Sequence, residues 1–207
     1  VLAFHVIVIA GLYLLSACSS SGTSADQSNM GSSTGGSIYD RYSTPNRPTE
    51  DDNLDVRVVR DFGAEWSRFD QSSLSAAEQA EMFEGYFRIF PWDSLRSGSI
   101  GADIGCGSGR WASLVAPRVG YLHLVDPSGD ALAVARQNLA HARNVSFHQA
   151  SVAGLPFEEQ KLDFAYSLGV LHHVPDTAGS MHSIARMLKP GAPFLIYLYY
   201  AFDQRPQ

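Results

Sequence analysis

A chain of 207 residues, 45% of them hydrophobic, is long enough to bury one sizeable core, so one globular domain is the expectation. Its formal net charge of −6, with lysines only at Lys161 and Lys189 and scattered arginines, argues against a surface for nucleic acid or anionic membrane. Two cysteines, Cys18 and Cys106, are too few and too far apart for a zinc site or a disulfide framework, and no metal site is expected.

The chain opens on an apolar run that ends at Leu15 and leads through Ser16 and Ala17 to Cys18. The run is shorter than the ~20 apolar residues a membrane-spanning helix needs. Its small residues before a cysteine resemble a bacterial lipoprotein signal, although no Lys or Arg precedes it and the first residue is Val. Residues 1–29, leader and Ser/Gly-rich tract, are expected to stand apart from the core, and 30–58 reads as a flexible linker. The folded domain is expected over 59–207. Order begins near Asp55, where "LDVRVVRDFGAEWSRFDQ" mixes aromatic and charged residues as a segment lying across a pocket would.

Ser75 with Glu78 three residues later predicts a capping box and a helix start. Ala80, Phe83, Phe87 and Phe90 then share one face at helical spacing, the pattern of core packing, and Pro91 ends the run. Beyond it, strand and helix alternate. "SIGADIG", "YLHLVD", "VSFHQ", "LDFAYSLG" and "APFLIYLYYA" read as strands. "RWASLVAPRV", "SGDALAVARQNLAHA" and "DTAGSMHSIARMLKPG" read as helices, and a loop rather than a clear helix joins the third and fourth of these strands. The fold class is therefore α/β, a Rossmann-like, mostly parallel sheet with helices on both faces. Ligands of such sheets bind beyond the C-terminal strand ends, where strand order reverses.

Gly105, Gly107 and Gly109 fall at that position, where glycine permits positive φ and close approach of a ligand to the main chain. Asp126 ends the second strand of this series 21 residues after Gly105, placed to accept hydrogen bonds from ribose hydroxyls. The spacing is G-x-G-x-G, and Arg110 stands where a dinucleotide fingerprint needs its third glycine. No G-K-[ST] follows, so a phosphate-gripping loop is excluded.

From Asp61 to Tyr200 the sequence resembles the class I S-adenosylmethionine (SAM)-dependent methyltransferases, in a branch acting on small molecules. Asp103-Ile104-Gly105-Cys106-Gly107-Ser108-Gly109 resembles the family's first motif, D-x-G-x-G-x-G. The resemblance implies SAM as cofactor, held by Asp103, Gly105, Cys106, Gly107 and Gly109. It further implies that Asp126 holds the ribose and Pro127 lies along the adenine. "QASVAGLPFEE" resembles the next motif, which places Ser151 and Val152 at the adenine; many relatives carry Asp at the Ser151 position. "LDFAYSLGVLHHVPD" matches the fourth-strand motif and implies Ser167 and Leu168 near the methionine moiety, and "MLKPGAPFLI" resembles the turn into the fifth strand. "FGAEWSRF" resembles an upstream element of one branch, in which Trp66 and Arg68 cover the cofactor or bind its carboxylate; plain helix packing is the alternative.

His172 and His173 follow the fourth-strand motif at the mouth of the site and are the candidate proton acceptors. Cys106 reads as a small buried filler rather than a nucleophile. The fourth-strand motif is S-L-G-V, not the [DN]-P-P-[YF] associated with amines of bases and glutamine, which points away from DNA and toward a small-molecule or sugar acceptor. A non-catalytic SAM-binding module or a truncated inactive methyltransferase is the alternative, with an NAD-dependent oxidoreductase disfavoured by Arg110. SAM is made in the cytosol, so a cytoplasmic protein starting near Met30 is expected, against one lipid-anchored through Cys18. Only "AFDQRPQ" follows the fifth-strand motif, so the C-terminal antiparallel hairpin of the family is expected to be missing. "PFLIYLYY" would then present a bare apolar edge open to self-association.

Overall fold

Six parallel strands and five α-helices make up the computed structural model, which describes residues 5–10, 53–68 and 75–198, without the side chains of 5–10, 62 and 64–68. Strand β1, His5–Ala10, is followed in the described chain by α1, Val56–Arg68, and α2, Ala76–Phe87. Then come β2 (Ile100–Ile104), α3 (Ala112–Val115), β3 (Tyr121–Asp126), α4 (Gly129–Asn138) and β4 (Val145–Gln149). The series closes with β5 (Phe164–Leu168), α5 (Thr177–Met187) and β6 (Pro193–Leu198). Turns and a loop, not a helix, join β4 to β5.

The sheet runs β1-β6-β5-β2-β3-β4, and every pairing is parallel. Chain direction across the sheet reverses at β2. The chain moves outward through β3 and β4 and then returns to place β5 on the other flank. That reversal opens a crevice above the ends of β2, β3 and β5.

Two apolar layers hold the sheet. One face packs Leu122, Leu124, Tyr166 and Leu195 against α2, α3 and α4; the other packs Ile104, Val125, Phe194 and Ile196 against α5. The α2 start is the capping box its sequence predicts. The Glu78 backbone N–H donates to the Ser75 hydroxyl at 3.2 Å, and the Ser75 N–H donates to the Glu78 carboxylate at 2.8 Å. Phe83 and Phe87 are buried and stack at 4.3 Å, and Phe90 closes the group from beyond the helix end. Burying such a ring contributes about 1.5–3 kcal/mol, which holds α2 on the sheet.

Three expectations are corrected at the edges. The apolar leader does not stand wholly apart, because His5–Ala10 pairs with Pro193–Leu198 in a continuous ladder from His5↔Pro193 to Ala10↔Leu198. The edge of β6 expected to be bare therefore has its backbone groups paired on both sides, with β5 and with β1. The folded unit also starts before residue 59, since Leu54 is already buried and α1 begins at Val56. Cys18, Met30 and residues 199–207, on which the anchor, the alternative start and the missing hairpin turn, lie outside the described residues.

Candidate functional site

The turn after β2 is built by its glycines and tied down by β3. The Gly105 and Cys106 N–H groups both donate to the Val125 carbonyl, at 2.8 and 3.1 Å. Gly105, Gly107 and Gly109 have φ of 77, 52 and 76°, in the left-handed region that side chains resist. Space excludes side chains as well. A Cβ on Gly105 would stand 2.5 Å from Val170, and one on Gly109 2.9 Å from Leu139. Gly105 thus lets Val170 close against the turn at the cavity wall, and Gly109 lets α4 do so on the other side.

Asp126, at the end of β3, braces this loop. One carboxylate oxygen accepts from the Gly107 N–H at 2.9 Å and the other from the Ser128 N–H at 2.9 Å. Ser128 in turn caps α4, accepting from the Ala131 N–H. A carboxylate has about four acceptor positions, so each oxygen retains one for a ligand. Burial pushes Asp126 up to about 6, while the two N–H donors pull it back.

Around these groups lies a cavity of about 830 Å³ including its open mouth. Gly105, Cys106, Gly107 and Ser108 form its floor, and Asp126, Pro127 and Ser128 one flank. Leu168, Gly169, Val170, His173 and Val174, from the end of β5 onward, form the other flank. Leu54, Asp55, Val58, Val59 and Gly63 close it from the side of α1. Arg110 and Trp111 also reach the wall, the guanidinium carbon 4.1 Å from the centre of the indole ring.

Several predicted site residues stand behind this wall. Asp103 is buried beneath the loop, where the Tyr166 hydroxyl donates to its carboxylate at 3.0 Å, and burial drives it up to about 8. Ser167 is fully buried and donates to the Ile104 carbonyl at 2.9 Å, clasping β5 to β2 across the crevice. Ser151 and Val152 are buried in the turn after β4, with Val152 in the apolar layer beside Val125. Arg68 ends α1, and its side chain, like that of Trp66, lies outside the described residues. Cys106 touches the cavity, but burial raises its thiol well above the usual range, so it is not a thiolate.

The histidine pair divides. His173 lines the cavity, while His172 packs behind it with ring centres 4.0 Å apart. Burial lowers both, and His172 falls to about 4 with its neighbour adding to the effect. Both rings are therefore neutral at pH 7, and of the two it is His173 that lines the cavity.

The wall formed by α1 falls in the segment from Asp55 that was expected to lie across a pocket, whereas motif spacing gives no sign of the places that Arg110 and Val170 take in the cavity. Arg110 serves in the sequence only to reject a dinucleotide pattern. The signal for α1 is local: Asp55 before Val56, Val58 and Val59 is a capping residue ahead of an apolar stripe, and its carboxylate accepts from the Arg57 and Val58 N–H groups. Among the described residues no group of three or more His, Cys, Asp or Glu side chains is arranged to hold a metal. No helix among them is long and apolar enough to cross a membrane.

Comparison with known proteins gives the cavity a context. Residues 102–196 match a family model described as a methyltransferase domain. A 2-phytyl-1,4-naphtoquinone methyltransferase of Nostoc punctiforme is 35% identical over 107 residues, covering 49% of this chain and 46% of its own. The solved structure of Haemonchus contortus phosphoethanolamine N-methyltransferase 2, in complex with phosphomonomethylethanolamine and S-adenosylhomocysteine, is 29% identical. It covers 56% of this chain and 27% of its own, with a TM-score of 0.50. A structure from Methanococcus maripaludis shares the fold at 22% identity and a TM-score of 0.55, over 66% of this chain and 62% of its own. The match spans from 25% to 56% of the length of the curated relatives.

Proposed function

We propose that the chain, whose residues 102–196 match a methyltransferase-domain family model, is a class I SAM-dependent methyltransferase that binds SAM in the cavity above β2 and β3 and transfers its methyl group to a small molecule. The observation that carries this reading is the pairing of Asp126 with the Gly107 N–H. It fixes the glycine loop, and each carboxylate oxygen keeps an acceptor position that a ribose hydroxyl would use. The fit extends beyond that pair. Gly105 and Gly107 present main chain to the cavity, Pro127 and Ala131 offer apolar contact for a base, and Arg110 brings a cation to the wall for a carboxylate. Asp126, raised by burial only to about 6 and so ionised at pH 7, suits a ligand that carries positive charge, while Asp103 below it is held protonated.

When bound, SAM supplies an electrophilic methyl on a sulfonium centre. The residues of the chain have the simpler work of alignment and exclusion of water, since the sulfonium charge disperses as the methyl moves. Leu168, Gly169 and Val170 form the wall beside the loop, and His173 stands where it would take the proton of an acceptor hydroxyl. The apolar flanks, Val58, Val59, Leu168, Val170 and Val174, favour an acceptor with an apolar body. The quinone named for the Nostoc relative is of that chemical type.

Calorimetry with SAM, S-adenosylhomocysteine and NAD tests the cofactor. Binding of the first two and not the third is expected, and binding of NAD alone would overturn the reading. Incubation with methyl-labelled SAM and a panel of quinols, phenols and amines tests the transfer. Binding without any labelled product would leave a non-catalytic SAM-binding module.

A further inference from the structure

Asn53 is held in a left-handed conformation, φ 52°, one of two such non-glycine residues among those described. A Cβ makes that conformation unfavourable, least so for Asn, so something must hold it. What holds it is remote in sequence. The side-chain amide donates to the Asp176 carbonyl and to the Ser180 hydroxyl, both at 2.8 Å, and its oxygen accepts from the Asp176 N–H at 2.6 Å. Asn53 therefore pairs with both backbone groups of one residue, as a neighbouring strand would.

That residue starts α5. Asp176 caps the helix by accepting from the Gly179 N–H at 2.8 Å, and the buried Ser180 hydroxyl donates back to the Asp176 carbonyl. The segment leading into it carries His173 and Val174 of the cavity wall. On the other side of Asn53, the next residue is Leu54, buried in the cavity wall, and Asp55 begins α1. Farther along, α1 reaches the start of α4, where a Cβ on Gly63 would fall 2.6 Å from the Ser128 hydroxyl oxygen. Helix α1 thus spans from the cap of α5 to the cap of α4, on opposite sides of the crevice, with Val58 and Val59 facing the cavity between them.

We infer that Asn53 is a positioning residue: it latches α1 to the start of α5 and so sets the wall that encloses the cofactor. The inference rests on the cavity being the SAM site, but the latch itself is a contact that exists without ligand. The seven residues after Asn53 contain Arg57 and Arg60, both exposed, which give trypsin a local report on whether the latch is closed.

The experiment compares the full chain with Asn53→Gly, which keeps the left-handed backbone but removes all three hydrogen bonds, and with Ser180→Ala, which removes one partner from inside α5. Under native conditions, trypsin cleavage after Arg57 and Arg60 is expected to speed up at least tenfold in N53G and less in S180A, with little change in the thermal midpoint. The Kd for SAM is expected to weaken about tenfold in N53G, and saturating SAM to slow cleavage of the unmodified chain. Cleavage of N53G at the unmodified rate would overturn the latch. Faster cleavage with unchanged SAM affinity would overturn its positioning role. If the unmodified chain binds no SAM while N53G is still cleaved faster, it is the cofactor reading that fails, and with it the positioning role; the latch contact alone survives.

Discussion

Replacing Asp126 tests the site at its centre, because this carboxylate makes two separable sets of contacts. Toward the protein it accepts from Gly107 and Ser128, each at 2.9 Å, and toward the cavity it offers the remaining lone pairs. In Asp126→Ala both backbone N–H groups lose their acceptor and the ribose loses its own. Charge-assisted hydrogen bonds contribute ~1.5–3 kcal/mol, and part of the ribose loss is recovered by water entering the truncated site. The expected weakening for SAM is ~1–3 kcal/mol, about 5- to 150-fold in Kd. Asp126→Asn separates the two sets. An amide of the same shape has a single acceptor oxygen, so its NH₂ must face one of the two backbone donors. D126N is then expected to loosen the loop and lower the thermal midpoint while keeping part of the ribose contact.

Calorimetry with SAM and S-adenosylhomocysteine at pH 7.5, with circular dichroism to show that the fold persists, is the assay. The pH supplies an internal control. With Asp126 at about 6, roughly a tenth of the carboxylates remain ionised at pH 5. The unmodified chain should therefore lose up to about tenfold in affinity between pH 7.5 and 5, and D126A should lose much less. Unchanged SAM affinity in a folded D126A variant would refute the assignment of Asp126 to the ribose.

Two further outcomes follow from the geometry. His173→Ala is expected to lower kcat by ~10²–10⁴-fold on an acceptor hydroxyl, with SAM affinity within about twofold, and His172→Ala to do much less. Equal losses in the two variants, measured by steady-state kinetics, would refute the division of the pair. Deleting residues 1–29 removes β1 and leaves β6 with an unpaired edge, so size-exclusion chromatography of the shortened chain should show self-association that the full chain lacks. A monodisperse shortened chain of unchanged stability would mean the β1 ladder contributes nothing to the edge.

Much of the architecture was legible because local and global signals coincide. Alternating apolar strands, the Ser75–Glu78 box and the Pro190-Gly191 stop each specify an element alone, and the glycine run marks where the sheet reverses. The cavity was legible where motif and wall are the same atoms, as at Gly105, Gly107, Asp126 and Leu168. It was not legible where a residue acts through a partner distant in sequence. The separation of 123 residues from Asn53 to Asp176 leaves no periodicity to read, and the burial of Ser167 depends on a carbonyl of another strand. Strand β1 was not legible for a related reason. An apolar run of this length has no local mark of a sheet strand, and its pairing depends on the edge of β6, which lies 180 residues and more downstream.

The acids beneath the cavity supply the last test. Asp103 and Asp126 end up near one another in the interior, each raised by burial, and the charge on Asp126 raises Asp103 further. An acid whose folded value lies above its ordinary one favours the fold in its protonated form. Its contribution is whole below the ordinary value of 3.8 and is lost as pH rises toward about 6 for Asp126 and about 8 for Asp103. The free protein should therefore melt at progressively lower temperature from pH 5 to 8, and Asp103→Asn, which keeps an acceptor for the Tyr166 hydroxyl, should flatten that slope. A cation bound above the pair reverses the preference by favouring the ionised carboxylates, so binding must expel protons in the same window. SAM carries a sulfonium charge that S-adenosylhomocysteine lacks and should expel more. Calorimetry at pH 7 in buffers of different ionisation enthalpy measures the number directly. Equal proton counts for the two ligands, or a melting slope that D103N leaves intact, would show that the buried acids do not answer the charge of the cofactor.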